Sequence, residues 1–273
     1  MTSAGCWVEL HQAERRLGGG FLLTRRYVLT ALHCLRELTS LDDSVDIVLA
    51  DGRRVLGRVC QRDKDADLAL VMISTAYDVK LPVLRAGIAH GGDDWHGPYR
   101  PAAVEAHLRG QVDRGTADYL CEGGAVIQAL QLTAHQLLGD YSGYSGGPVV
   151  KGTPDDREPL VVGILLEQAP DRATPRRAAN VLFAATIGEA MRRFDQFDVE
   201  HLMDAVHPAS STSPRDGKGD ESNIDEAAET AEAWFARIEE WSQRGVLDPS
   251  RIAELKFVAA KTAIERRPHG DRL

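Results

Sequence analysis

A serine surrounded by glycines is the feature of this 273-residue sequence that most directly suggests chemistry. Ser145 lies in GDYSGYSGGPVV, residues 139–150, just before a run that reads as a buried strand. Glycine loses more conformational freedom on folding than any other residue, so such a cluster indicates unusual dihedrals or a close approach to another molecule. A serine hydroxyl becomes a good nucleophile when a neighbouring base accepts its proton. The glycines also allow the N–H groups of Gly143 and Ser145 to converge on one point, which predicts an oxyanion hole.

Two earlier segments offer a base and a carboxylate that could orient it. His33 follows the apolar run VLTAL, at the end of a predicted strand, and is the candidate base. Asp67 immediately precedes the apolar run LALVMI, where a carboxylate can be half buried and aimed at the imidazole. We interpret the neighbouring Asp63 and Asp65 as residues that solvate the turn before this strand.

Short strands must bring these segments together. Over the first 85 residues, apolar or alternating runs such as CWVEL, GFLLTRRYVLT and DLALVMI are separated by turn residues. A second, less regular series follows and includes PLVVGILLEQ and NVLFAATI. Short strands at regular spacing predict an all-β sandwich or a pair of barrels. The aromatic and glycine-rich segment 87–101 reads either as a substrate-facing loop or as a connection between the two series.

The C-terminal part of the sequence has a different pattern. Residues 208–222, PASSTSPRDGKGDES, have the composition of a flexible linker. Residues 223–267 predict a helical hairpin, with Asn223 capping the first helix, Gly245 ending it and Asp248 capping the second. A hairpin of this size is too small to bury two tryptophans by itself, so it either docks on the β domain as a stabilising appendage or binds another protein.

Composition excludes several classes of function. The net charge is −9, from 32 basic and 41 acidic residues, and no dense Lys/Arg stretch is present, which argues against a nucleic-acid surface. No signal-peptide pattern and no run of about 18 apolar residues occurs, so neither export nor a membrane span is predicted. The four cysteines are isolated, which suits a reducing cytoplasm. No cofactor or metal is expected, because the candidate histidines lack paired ligand spacing: His90, His96, His107 and His135.

Three motifs together resemble the trypsin-like, or chymotrypsin-fold, serine proteases. GGGFLLTRRYVLTALHCL, DLALV and GYSGGPVV occur in that order, and the resemblance covers roughly residues 5–200. It implies a mainly β fold of two packed six-stranded antiparallel β-barrels, one over about 5–85 and the other over about 86–190. A closing helix over about 187–206 would complete a peptidase domain at 1–207. The hairpin would then be a C-terminal α-helical extension.

The resemblance also implies roles for the candidate residues. His33 would act as general base and then acid, Asp67 would hold the imidazole, and Ser145 would be the acylated nucleophile. The amides of Gly143 and Ser145 would bind the oxyanion. The chain would then be a serine endopeptidase acting on protein or peptide substrates. The alternative is a catalytically silent scaffold that binds peptides or partner proteins in the cleft between the barrels.

The sequence departs from the secreted members of that family in two ways. Cys34 follows the candidate base, but Gly18 stands where its disulfide partner would be expected, so Cys34 is predicted to be a free, buried thiol. Tyr144 precedes the serine in place of the aspartate found in enzymes activated by cleavage, so such activation is not expected. No pro-segment is expected either, because Trp7 already begins the first predicted strand. The lack of a pro-segment and of activation by cleavage is similar to the high-temperature-requirement proteases and favours a bacterial, intracellular type, although no PDZ pattern follows the β domain.

Substrate specificity is harder to derive. In the resembled family the floor of the specificity pocket is lined by residues about six before the serine, here Gly139 and Asp140, and by the segment Leu166, Glu167 and Gln168. Asp140 and Glu167 could favour Arg or Lys at the cleaved position through charge pairing. Both acids could equally be solvated loop residues.

An active peptidase in the cytoplasm needs restraint. This requirement suggests that residues 223–267 recruit the enzyme to an assembly of a stress or defence pathway. The hairpin is therefore also the predicted surface for a protein partner.

Overall fold

Strands dominate the part of the protein that the computed structural model describes. The described residues are 5–38, 40, 44–77, 79, 85–156, 159–174 and 177–194, together with residues 232, 235, 236, 238, 239, 243, 252 and 256. The chain divides into two compact units, Met1–Phe194 and Asp195–Leu273.

The first barrel contains six strands: β1 (Trp7–Gln12), β2 (Arg15–Leu22), β3 (Tyr27–Ala31), β4 (Ser44–Leu49), β5 (Arg54–Asp63) and β6 (Leu68–Ile73). They close in the order β1-β2-β3-β6-β5-β4, and every neighbouring pair is antiparallel. Alternation along β1 buries Val8 and Leu10, which pack with Ile47, Val71 and other apolar side chains in the barrel interior.

The second barrel contains seven strands: β7 (Arg85–Ala86), β8 (Asp94–Gly97), β9 (Leu108–Leu120), β10 (Val126–Ala134), β11 (Pro148–Lys151), β12 (Leu160–Pro170) and β13 (Ala178–Thr186). Six of them close in the order β11-β8-β9-β10-β13-β12, because β11 also pairs with β12. The short β7 adds to β12 in parallel. Two six-stranded antiparallel barrels were predicted and are confirmed, and β8 shows that part of segment 87–101 is a barrel strand.

Two short helical segments border the strands. A 3-10 turn, Leu32–Leu35, follows β3. Helix α1, Ile187–Arg193, follows β13, and the side chain of Thr186 caps it by accepting the N–H of Glu189 at 3.1 Å. The predicted helix therefore begins at Ile187, but Phe194 already has an extended backbone (φ −116°, ψ 110°). Residues 195–206 of that prediction lie outside the described part.

The described residues of the second unit are all helical, and they lie between 232 and 256. Ile238 is buried. Lys256 Nζ lies 2.5 Å from the carboxylate of Glu239. The predicted linker 208–222 and the remainder of 223–267 lie outside the described residues. Among the helices that the structure describes, none has the length and apolar character needed to cross a bilayer.

Candidate active site

His33 is held at the end of β3 by the residue that sequence reasoning chose as its orienter. The 3-10 turn directs the chain back toward the start of β6, where the N–H of Leu32 donates to the carbonyl of Asp67 at 2.9 Å. The N–H of His33 donates to Asp67 Oδ1 at 2.9 Å. The ring Nδ1 lies 2.5 Å from Asp67 Oδ2. One contact of Leu32 and two of His33 thus fix the position of the imidazole relative to one aspartate.

Asp67 itself has an unusual backbone. Its φ of 57° lies in the left-handed region, which Asp tolerates better than most residues other than glycine. The side chains of His33 and Asp67 are 25% and 14% exposed, so most of the pair is shielded from solvent. A residue in such a conformation persists where its surroundings over-determine it, and clusters of such residues are common at functional sites.

The pKa of the His33 ring is raised above its ordinary value of 6.5. Burial of the ring opposes protonation, but the hydrogen bond to Asp67 and the nearby Cys34 thiol favour the charged ring and dominate. The imidazolium form is therefore stabilised, as is needed for a group that takes up a proton during a reaction.

Ser145 is placed by a tight approach between the two barrels. The next residue, Gly146, has a φ of 81°, and a Cβ there would lie 2.2 Å from the carbonyl oxygen of Gly19 in β2. Only glycine satisfies both conditions. The carbonyl of Ser145 accepts the thiol of Cys34 at 3.4 Å. The serine hydroxyl donates to the carbonyl of Leu166 at 3.2 Å, and no hydrogen bond joins it to His33 within the described residues.

The two predicted oxyanion donors lie in the same loop. Gly143 has a φ of 88°, and the N–H of the intervening Tyr144 donates to the carbonyl of Tyr141 at 3.2 Å. Within the described part of the chain, the N–H groups of Gly143 and Ser145 have no acceptor. They are therefore available to a ligand.

His33, Asp67, Gly143 and Ser145 all line one cavity of about 560 Å³. The residues that were predicted from the sequence and that line it are His33, Asp67, Gly143, Ser145, Leu166, Glu167 and Gln168. The cavity is thus bordered by the imidazole and carboxylate of the first barrel and by the serine loop and β12 of the second.

The structure separates the predicted pocket residues into two groups. Leu166, Glu167 and Gln168 line this cavity, whereas Gly139 lines a second cavity and Asp140 lies on neither wall. The exposed Asp140 carboxylate accepts the N–H of Ser142 at 2.9 Å and its hydroxyl at 2.6 Å. These bonds hold the pKa of Asp140 below its ordinary value. Of the two acids considered for specificity, only Glu167 faces the cavity.

Glu167 is held by two residues to which no motif in the sequence pointed. Its carboxylate accepts the hydroxyl of Tyr119 at 2.6 Å and the N–H of Glu122 at 2.7 Å. Tyr119 stacks on Phe183, with ring centroids 4.1 Å apart. Burial, and then the Glu167 carboxylate, raise the pKa of the Tyr119 hydroxyl, so it stays a donor. These partners are distant in sequence, and the closed strand order β9-β10-β13-β12 of the second barrel brings them together.

Cys34, Cys60 and Cys121 are free thiols, as the isolated spacing indicated. Cys34 is buried, and a Cβ on Gly18 would lie 2.6 Å from the Cys34 Cβ, so the position expected for a disulfide partner is adjacent but carries no sulfur. The prediction of a free Cys34 is confirmed. Within the described residues, no group of three or more His, Cys, Asp or Glu side chains could hold a metal ion.

Solved structures share this architecture. The HtrA-type protease AlgW with decapeptide has 16% sequence identity and a TM-score of 0.55, and the alignment covers 76% of this chain and 66% of that one. The chain thus spans slightly less than two thirds of AlgW. The Rv3671c protease, inactive form, has 18% identity and a TM-score of 0.52, with 71% and 89% covered. Deg5 has 21% identity and a TM-score of 0.51, with 70% and 88% covered.

These structural similarities show the fold alone, whereas the sequence also assigns the family. No curated protein has a sequence significantly similar to this chain. The family model described as "Trypsin-like peptidase domain" matches residues 18–164, a stretch that includes His33, Asp67 and Ser145. The chain therefore belongs to the trypsin-like peptidase domain family, as its three motifs predicted.

Proposed function

We propose that this protein is a serine endopeptidase that uses Ser145 as nucleophile, His33 as general base and acid, and Asp67 as the group that orients His33. The observation that carries the proposal is the double contact between Asp67 and His33 at the border of the cavity that Ser145 also lines. Membership of a peptidase family supports the same reaction.

Acylation begins when the Ser145 oxygen attacks the carbonyl carbon of the scissile peptide bond. His33 takes the serine proton as the new C–O bond forms, and Asp67 stabilises the resulting imidazolium. The negative oxygen of the tetrahedral intermediate is bound by the N–H groups of Gly143 and Ser145. His33 then gives its proton to the leaving nitrogen, the C–N bond breaks, and the acyl group stays on Ser145.

Deacylation repeats the sequence with water as the nucleophile. His33 takes a proton from the water, the new C–O bond forms, and the same two N–H groups bind the second oxyanion. When the ester bond breaks, His33 returns its proton to the Ser145 oxygen. The products are a carboxylic acid and the regenerated hydroxyl.

Substrate binding also prepares the Ser145 hydroxyl for reaction, because it displaces that hydroxyl from the Leu166 carbonyl. In the free protein this carbonyl accepts the Ser145 hydroxyl at 3.2 Å. An N–H of an extended peptide in the cavity competes for the same acceptor, and the released hydroxyl rotates toward His33. Hydrogen bonds between catalytic groups often form fully only in the complex with substrate.

The substrate class follows from the shape and charge of the cavity. The AlgW structure contains a decapeptide. We assign the cavity bordered by both barrels of this chain to an extended peptide substrate. Glu167, with its carboxylate fixed at the cavity wall, favours Lys or Arg in the substrate. We therefore assign a mild preference for basic residues at the cleaved position.

Labelling with a serine-directed fluorophosphonate tests the chemistry. We expect the parent protein to be labelled and to hydrolyse peptides, and we expect Ser145→Ala to do neither. Equal labelling of parent and variant would refute Ser145 as nucleophile. If neither protein is labelled with peptide present, and both bind that peptide, the silent scaffold becomes the better description.

Regulation forms a separate part of the proposal. We assign the C-terminal unit to the recruitment of a protein partner in a stress or defence pathway, because this unit is compact in its own right and its described residues are helical. Truncation after Pro208 should leave peptide hydrolysis intact and abolish binding of the partner. Unchanged binding would remove this assignment. The free thiols of Cys34, Cys60 and Cys121 support a cytoplasmic location, and the proposal includes no cofactor, nucleic acid or membrane.

A further inference from the structure

An arginine of the second barrel's closing helix reaches the turn that precedes Asp67. Arg193 is the last residue of α1, and its guanidinium uses all three nitrogens. Nη1 donates to Asp63 Oδ2 at 2.8 Å, Nη2 donates to the Val126 carbonyl at 3.2 Å, and Nε donates to Glu189. The side chains of Arg193 and Asp63 are 21% and 20% exposed. A charge pair thus joins the end of β5 to the second barrel.

The Asp63 carboxylate that binds Arg193 also binds the backbone of the turn. Its Oδ2 accepts Arg193, while its Oδ1 accepts the N–H of Ala66 at 2.9 Å. Ala66 is followed directly by Asp67, whose left-handed backbone needs support from its neighbours. One carboxylate therefore connects a side chain of α1 to the residue next to the proposed orienter. Burial raises the pKa of Asp63, but the bonds from Arg193 and Ala66 outweigh it and lower the pKa below the ordinary value.

The loop between β9 and β10 holds the same turn from a second direction. The Asp65 carbonyl accepts the Cys121 thiol at 2.9 Å and the N–H of Ala125 at 3.0 Å. Gly123 makes this approach possible, because a Cβ there would lie 2.4 Å from the Asp65 oxygen. The turn 63–67 is therefore supported by the second barrel at two separate points.

We propose that Arg193 is a positioning residue that sets the Asp67 carboxylate against His33 by fixing the turn 63–67 from the second barrel. The inference rests on the proposed peptidase function and deepens it, because Arg193 contacts neither substrate nor reacting atoms. It implies that the geometry of the His33–Asp67 pair in the first barrel depends on the position of helix α1, which follows the last strand of the second barrel. A displacement of about 1 Å in a catalytic group is enough to cost about 100-fold in rate.

Arg192 provides a matched control. It also pairs with Glu189, but its side chain is mostly exposed and makes no described contact with the first barrel. Arg193→Met and Asp63→Asn remove the charge pair from its two ends, and the asparagine can still accept the Ala66 N–H. Arg192→Met removes a positive charge from the same helix and leaves the turn alone. Arg193→Lys keeps the charge with a single donor group.

The first readout is kcat/KM per serine titrated with fluorophosphonate, because this normalisation removes any loss of folded protein. We expect Arg193→Met and Asp63→Asn each to lower it about 10- to 100-fold. Arg193→Lys should recover part of the loss, and Arg192→Met should stay within about twofold of the parent. The double variant should lose about as much as either single variant, because both single variants remove the same Arg193–Asp63 pair.

The second readout is the pKa of His33, from the pH profile and from NMR titration of labelled histidine. A displaced Asp67 supports the imidazolium less, so both variants should lower this pKa and move the acid limb of activity to lower pH. A direct charge effect would instead raise it in Arg193→Met and lower it in Asp63→Asn. The other charged groups lining the cavity beside His33 and Asp67 are unchanged in these variants: Arg36, Lys64, Glu122 and Glu167.

Normal kcat/KM and an unmoved His33 pKa in both variants would overturn the inference. A lower melting temperature with normal kcat/KM per titrated serine would also overturn it, since Arg193 would then serve stability alone. The NMR titration does not require turnover. If the parent protein proves inactive, the proposed function fails, while a His33 pKa that falls in both variants still supports the positioning role.

Discussion

Asp67 binds His33 through both of its carboxylate oxygens. Oδ1 accepts the backbone N–H of His33 at 2.9 Å and Oδ2 faces the ring Nδ1 at 2.5 Å. One side chain therefore fixes the main chain and the ring of the same residue. The orientation of the imidazole is set before any substrate binds, and the ring's Nδ1 is committed to the carboxylate.

Asp67→Asn should lower kcat by about 10⁴-fold, because the amide removes the negative charge and favours the wrong tautomer of the imidazole. Its oxygen can still accept the His33 N–H, so the fold should be retained. Steady-state kinetics with a peptide substrate provides the measurement. Asp65→Asn is the control, since the exposed Asp65 side chain lies in the same turn, and that variant should keep the parental kcat. A loss below about tenfold in Asp67→Asn would contradict the orienting role.

The acid limb of the pH profile should lie above pH 6.5. His33 must be neutral to accept the serine proton, and its folded pKa is raised above 6.5, so activity appears only as the pH rises through that higher value. The raised pKa of His33 also stabilises the folded state. This stabilisation is fully present below pH 6.5 and is lost as the pH rises through the pKa of His33 in the folded protein. The dependence of kcat/KM on pH measures the limb. An acid limb of kcat/KM with its midpoint at or below pH 6.5 would contradict the raised pKa of His33.

Glu167→Gln should reduce the preference for Lys and Arg over apolar residues by about tenfold, the usual scale for the loss of one charge-assisted contact. Asp140→Asn should leave the preference unchanged, because Asp140 does not line the cavity. A peptide library measured with the parent and both variants compares the two acids directly. Preferential cleavage after apolar residues by the parent, or a larger effect of Asp140→Asn, would refute the role of Glu167.

Gly146→Ala should lower the free energy of unfolding by about 3 kcal/mol or more, through left-handed strain and overpacking against a backbone carbonyl. Gly52→Ala is a matched control. Gly52 has nearly the same φ of 83°, but nothing lies within 4 Å of its would-be Cβ, so only the strain of about 1–2 kcal/mol applies. Urea denaturation of both variants gives the difference. Equal destabilisation would show that the approach to Gly19 contributes nothing.

The fold was predictable because its signals are local. Alternation in CWVEL and the continuous apolar run LALVMI each indicate a strand without knowledge of any partner. Strand β8 was harder to predict from the sequence, because Asp94–Gly97 is short and lies between glycine-rich turns. Its register is decided by pairing with β9 and β11, which are remote in sequence.

The sequence by itself determined the candidate residues His33, Asp67 and Ser145, because each is a chemically suitable residue type next to a predicted strand or within a glycine cluster. The resemblance of three motifs to one family added the barrel pair and the free Cys34. Only the tertiary structure decided which acid faces the cavity, since Asp140 and Glu167 look alike along the chain and differ in their partners in space. It also decided the pairing of Asp63 with Arg193, which are 130 residues apart. Such contacts leave no local pattern, because they arise where two independently closed barrels meet.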